Sequence, residues 1–125
     1  YKKFYHAISN EGYRRLPHGP APIHFDRILD ELVSEGKIDY TVEEYADDGE
    51  HWRFVCHVSE YKPELLTKDE LALVDQVIKK LGGLRACDLT AISHKDNPWA
   101  SSKELELIDY NLVFYRDERL EKIVE

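Results

Sequence analysis

The chain has 125 residues, a size that suits one domain with a single hydrophobic core. Its 25 acidic and 17 basic residues give a formal net charge of −8, which disfavours direct nucleic-acid binding because the phosphate backbone is repelled. A composition of 42% hydrophobic and 34% charged residues rules out a disordered chain. No apolar run approaches the roughly 20 residues that span a bilayer, so we expect a cytoplasmic protein that does not bind a membrane.

The first 22 residues contain a weak helical pattern and then a proline-rich segment. A short helix within residues 1–16 would end near Asn10 or Gly12, since both residue types favour the left-handed conformation that stops a helix. The sequence LPHGPAP, at 16–22, has three prolines around one glycine. This composition predicts an extended, turn-rich loop.

A helix and a hairpin are predicted next. Apolar residues recur at three- and four-residue spacing over residues 23–35, and Gly36 then supplies a stop, which predicts an amphipathic helix. Alternating apolar and polar residues predict one antiparallel hairpin, with strands at about 38–45 and 51–59. A three-residue loop at 47–49 keeps both apolar rows on one face of the hairpin. The pairs that follow from this loop are Val42 with Phe54 and Tyr40 with Cys56.

The second half of the chain is predicted to be helical. Thr67 and Glu70 form a capping-box pattern at the start of a long helix, which a glycine pair at 82–83 ends. A short helix over residues 84–93 follows, and the proline of DNPW is expected in the first turn of another element. Asp109 can cap a last helix, which we favour over a strand. The predicted fold class is therefore α+β, mainly α, a compact helical domain with one antiparallel hairpin, and we expect residues 1–125 to form one domain.

Metal and covalent chemistry find little support in the pattern. No histidine pair has i,i+4 spacing and no CxxC is present, so we expect no metal and no cofactor. Cys56 and Cys87 lie within apolar patterns, which predicts buried free thiols. A hydrolase that uses His94 with Cys87 or Asp96 is a weaker alternative, because burial would raise the pKa of the thiol and lower its reactivity.

The sequence SHKDNPW, at 93–99, places His94 five residues before Trp99. We favour a structural role, in which the imidazole bonds carbonyls at the end of its own helix and the indole after Pro98 covers the turn. Two arginines stand before the proline loop, at 14 and 15. Their guanidinium groups suit a carboxylate or a phosphate, and a solvated or internal salt-bridging role fits equally well.

Two stretches of the chain are informative together: YRRLPHGPAPIHFDRILDEL at 13–32 and ACDLTAISHKDNPW at 86–99. Together they resemble the Panacea domain, also known as the SocA-like antitoxin domain. The first resembles the Gly-Pro segment of that family, and the second is similar to its signature that runs from a histidine to a tryptophan. The resemblance covers about residues 10–122. His18 stands where the family usually has a tyrosine, and we expect the chain to lack part of the family's first helix.

The resemblance implies an antitoxin of a bacterial or phage toxin–antitoxin system, a non-enzymatic module that neutralises a cognate toxin by direct binding. The alternative is that the chain is the sensing or dimerisation half of a transcriptional regulator whose DNA-binding segment is absent here. A second copy of the chain, forming a homodimer, is also considered as a partner. The residues expected to bind a partner or to define the fold are Arg14, Arg15, His18, Gly19, Pro20, His94, Pro98 and Trp99.

Overall fold

The computed structural model describes residues 1–46, 49–60 and 63–124. The chain forms two compact units, Tyr1–Ile23 with Glu64–Glu125 and His24–Pro63. In chain order the elements are β1 (Tyr13–Leu16), β2 (Gly19–Pro22), α1 (Phe25–Ser34), β3 (Ile38–Tyr45), β4 (Gly49–Cys56), α2 (Lys68–Leu81), α3 (Ala86–Lys95), α4 (Asn97–Ala100), a 3₁₀ helix (Tyr110–Tyr115) and α5 (Glu118–Val124). No helix in these ranges is both long and apolar enough to cross a membrane.

The predicted fold class, with a single hairpin, is wrong. Two separate two-stranded antiparallel sheets are present, β1 with β2 and β3 with β4. The additional sheet lies in the proline segment, where four-residue strands are too short for an alternating apolar pattern to show. The short helix expected within residues 1–16 is also absent, since turns precede β1.

Prolines are compatible with β2 because of where they pair. Pro20 and Pro22 lie opposite Arg15 and Tyr13. The backbone groups of those two partners bond outward instead: the amide of Arg15 donates to Glu106, and the carbonyl of Tyr13 accepts from the amide of Ile108. A missing proline N–H therefore removes no bond from the β1–β2 ladder.

The second hairpin, β3–β4, has the predicted apolar face but a shifted register. Tyr40 pairs with Phe54 and Val42 with Trp52, so the predicted pairing of Val42 with Phe54 is wrong. A shift of two positions in the partner keeps every side chain on the same face, so the alternating pattern cannot distinguish the two registers. Gly49 has a φ of 75°, the left-handed conformation expected of it, but it is paired with Tyr45 as part of β4.

The predicted helices are largely confirmed. Helix α1 occupies most of residues 23–35 and is followed by Gly36 at a φ of 67°. The capping box is present at α2, where Thr67 and Glu70 exchange side-chain and backbone hydrogen bonds. Near the carboxyl end, the carboxylate of Asp109 caps a 3₁₀ helix, and α5 follows separately.

Few apolar side chains are deeply buried in the described residues. Leu29 in one unit, and Val113 and Leu120 in the other, are the buried hydrophobic residues. Both cysteines are free, as predicted, but Cys56 and Cys87 are exposed, so the prediction of buried thiols is wrong. The error has one cause: a half-apolar pattern identifies the preferred face of an element without showing that another element covers it.

Candidate functional site: a clamped proline hairpin

The proline segment turns tightly between β1 and β2. Leu16 pairs with Gly19, so Pro17 and His18 form a two-residue loop. Gly19 is buried and has a φ of 135°, a conformation that side chains with a Cβ rarely adopt. A Cβ at this position would lie 3.0 Å from the hydroxyl oxygen of Ser93 on α3. The glycine therefore allows the backbone conformation of the turn, and its lack of a Cβ allows α3 to approach closely.

Three consecutive carbonyls of this turn accept hydrogen bonds from side chains of α3 and α4. The Nε1–H of Trp99 donates to the carbonyl of Leu16 at 3.1 Å. The Nε2 of His94 lies 2.8 Å from the carbonyl of Pro17, and because a carbonyl only accepts, that nitrogen carries the proton. The hydroxyl of Thr90 donates to the carbonyl of His18 at 3.0 Å. We call these three side chains the carbonyl clamp.

The rings of the clamp also stack. The imidazole of His94 lies 3.9 Å from the indole of Trp99 between ring centroids, with an interplanar angle of 14°. The guanidinium carbon of Arg15 lies 4.0 Å from the centroid of the same indole, a cation–π geometry. Arg15 also donates to the carbonyl of Ser102. The charged group of Arg15 therefore binds an aromatic ring and a carbonyl of the chain itself.

The turn that joins α3 to α4 is fixed by a second set of bonds. The carboxylate of Asp96 accepts two hydrogen bonds from the guanidinium of Arg116, at 2.7 and 2.6 Å. Asn97 donates to the carbonyl of Tyr115 at 3.2 Å, and the hydroxyl of Ser102 donates to the carbonyl of Pro98 at 2.8 Å. These bonds hold Trp99 where it reaches the proline hairpin.

The residues singled out in the sequence fall into two groups. Five lie in or against the clamp and are at least partly buried, namely Arg15, Gly19, His94, Pro98 and Trp99. The other three are exposed on the hairpin, namely Arg14, His18 and Pro20. The imidazole of His94 contacts a carbonyl 77 residues earlier in the chain, where a carbonyl of its own helix end was expected.

Sequence reasoning missed Thr90, Ser93 and the partner of Asp96. Thr90 and His94 are four residues apart and therefore lie on one face of α3, which is the only local sign of a shared role. Arg116 is twenty residues beyond Asp96 and belongs to no motif with it. Because the clamp binds backbone oxygens, its partners leave no residue pattern in the sequence.

Two of the hydrolase groups considered above have other partners, since the Nε2 of His94 donates to Pro17 and Asp96 binds Arg116. Cys87 is exposed, so the burial that was expected to suppress the reactivity of its thiol is absent. Within the described ranges, no group of three or more histidine, cysteine, aspartate or glutamate residues is placed to hold a metal ion. The arrangement acts as a mechanical brace for the hairpin.

Comparison with known proteins identifies a family. The family model described as antitoxin SocA-like, Panacea domain, matches residues 1–100, which include the proline hairpin and the carbonyl clamp. No curated protein matches the chain. No solved structure matches it either.

Proposed function

The chain belongs to the SocA-like antitoxin family, which is defined by the Panacea domain, and we propose that it neutralises a toxin protein by binding it directly, without catalysis. Family membership supports a role in a toxin–antitoxin system. The free cysteines suit a reducing compartment, so we place this encounter in the cytoplasm.

The carbonyl clamp is the observation that carries the proposal. Its N–H and O–H groups donate to main-chain carbonyls of the turn, so the donating nitrogens of His94 and Trp99 are already occupied. The loop is thereby held in one conformation while Arg14, His18 and Pro20 stay exposed. A loop ordered before the encounter loses less conformational entropy on binding, which favours affinity for a partner.

The net negative charge of the chain also supports direct binding of a toxin. With a net charge of −8, the chain attracts basic proteins over distances of about one Debye length and so accelerates their encounter with it. Toxin and antitoxin pairs that must meet quickly gain from such steering. We therefore expect the affinity for the toxin to fall as salt concentration rises.

The direct test is co-expression and co-purification with the product of the neighbouring gene. We expect a stable complex and loss of that product's toxicity. In the same assay, Arg14→Ala with His18→Ala is expected to weaken the complex at least tenfold, because two exposed contacts at the hairpin are lost. Lys79→Ala removes one positive charge from an exposed position on α2 and is the matched control. Persistent toxicity with no complex would refute the proposal.

A further inference from the structure

The negative charge of the chain is concentrated in one unit. Residues 24–63 contain eleven acidic and four basic residues, a formal net charge of −7, so the other 85 residues carry only −1 of the total of −8. The same unit consists of α1 and the β3–β4 hairpin. A strong field therefore surrounds the hairpin.

One face of this hairpin is aromatic and remains partly exposed to solvent beside α1. Tyr40, Trp52 and Phe54 lie on the same face and are 38%, 42% and 49% exposed. The rings of Tyr40 and Trp52 stack at 5.2 Å with an interplanar angle of 9°, and Phe54 lies 6.0 Å from Tyr40. The ring centroid of Phe25 in α1 lies 6.1 Å from that of Trp52, with an interplanar angle of 60°. We call Tyr40, Trp52 and Phe54 the aromatic face.

Two carboxylates stand on that same face at the turn end of the hairpin. Glu44 and Glu50 are directly opposite each other in the β3–β4 ladder, and both are exposed. Like charges at such a cross-strand position destabilise a sheet. An arrangement that costs local stability is expected at a functional surface. A cation placed against both carboxylates would remove the repulsion.

We propose that the aromatic face is a docking surface for an arginine- or lysine-bearing segment of a basic protein. The methylene stem of the basic side chain packs on the rings, and its positive end faces Glu44 and Glu50. Cation–π attraction to Trp52 and Tyr40 adds to this contact. If the proposed function is correct, this basic segment belongs to the toxin. That identification of the partner rests on the proposed function.

Other occupants are disfavoured by charge. A second copy of this chain would bring two units of −7 together, and a nucleic acid or an anionic lipid surface would meet the same repulsion. Glu50 accepts a 3.4 Å hydrogen bond from the indole N–H of Trp52, but an apolar partner without positive charge would bring no counter-charge to Glu44 or Glu50. A basic segment satisfies both the rings and the carboxylates.

The test uses the full chain labelled with ¹⁵N and a synthetic peptide of alternating arginine and leucine, followed by amide chemical shifts. We expect shift changes confined to β3 and β4, and none with a matched peptide of alternating glutamate and leucine. Glu44→Gln with Glu50→Gln should weaken peptide binding at least fivefold and leave the melting temperature unchanged or higher. The control, Asp30→Asn with Glu35→Gln, removes the same charge from exposed positions in and just after α1 and should change the affinity less than twofold.

A second pair of variants tests the rings. Phe54→Thr should weaken peptide binding at least threefold, whereas Val55→Thr, at the adjacent and equally exposed position on the opposite face, should leave it within twofold. Shift changes elsewhere in the chain, or equal binding by the Glu44/Glu50 variant and the wild type, would overturn the inference.

The same variants separate this inference from the proposed function. A toxin bound equally well by wild type and by Glu44→Gln with Glu50→Gln would leave the antitoxin function standing and refute this surface as the toxin site. Peptide binding at the hairpin without any toxin complex would refute the antitoxin function and support the docking surface.

Discussion

The indole of Trp99 donates its N–H to the carbonyl of Leu16, 83 residues earlier in the chain. This bond and the ring stacking can be separated by substitution. Trp99→Phe keeps an aromatic ring for His94 and Arg15 but leaves the carbonyl without its donor, which should cost about 1 kcal/mol of unfolding free energy. Trp99→Ala also removes the stacked ring and should cost about 3 kcal/mol. Urea denaturation measures both, and equal losses would show that stacking contributes nothing.

Gly19 provides a test of backbone strain. Gly19→Ala should destabilise the protein by about 1–3 kcal/mol, because a φ of 135° is unfavourable with a Cβ and Ser93 lies within 3.0 Å of it. Adding Ser93→Ala should recover only the steric part of this loss. Gly83→Ala is the control, since nothing lies within 4 Å of its added Cβ. A control as unstable as Gly19→Ala would contradict the assignment.

Asp96 and Arg116 form a half-buried pair, with side chains 23% and 16% exposed. Asp96→Asn should cost about 1.5–3 kcal/mol, because it removes charge-assisted bonds and leaves a partly buried guanidinium without its counter-charge. Asp88 makes a similar two-bond contact with Arg85, but that pair is much more exposed. Asp88→Asn should therefore change thermal stability little. Similar melting-temperature losses in both variants would refute the role of burial.

Glu70 makes the folding stability of the protein fall at acidic pH. Hydrogen bonds from the Thr67 amide, from His6 and from the Thr67 hydroxyl lower the pKa of this buried carboxyl to about 2 from 4.5. Because the pKa in the folded state is lower, its stabilising contribution is fully present above pH 4.5 and is lost as the pH falls towards 2. Melting temperatures measured from pH 6 to pH 2 should fall more steeply for wild type than for Glu70→Gln. Glu104→Gln, at an exposed position, should keep the wild-type slope.

Local signals explain why some elements could be predicted. The capping residues Thr67 and Glu70 are close in sequence, and the apolar spacing of α1 reflects a face that is covered by its own hairpin. Pro98 likewise stands in the first turn of α4, as its fixed φ suggests. Patterns of this kind depend only on neighbours within a few residues.

The remaining features depend on contacts that are distant in sequence. The β1–β2 sheet is supported on its outer edge by residues 105–108, and its turn is supported by α3 and α4. Exposure of Cys56 and Cys87 likewise depends on which elements pack over them. Family resemblance identified both stretches of the candidate site, but Trp99 and His94 contact carbonyls 83 and 77 residues earlier in the chain, and no local pattern predicts such contacts.

Because Thr90, His94 and Trp99 donate hydrogen bonds to main-chain oxygens, the carbonyl clamp does not depend on the identity of most side chains at the tip of the turn. Position 18 could therefore accept different residues while the frame beneath it keeps its shape. A scaffold with this property can acquire new recognition specificities by changing surface residues alone, with little risk to folding.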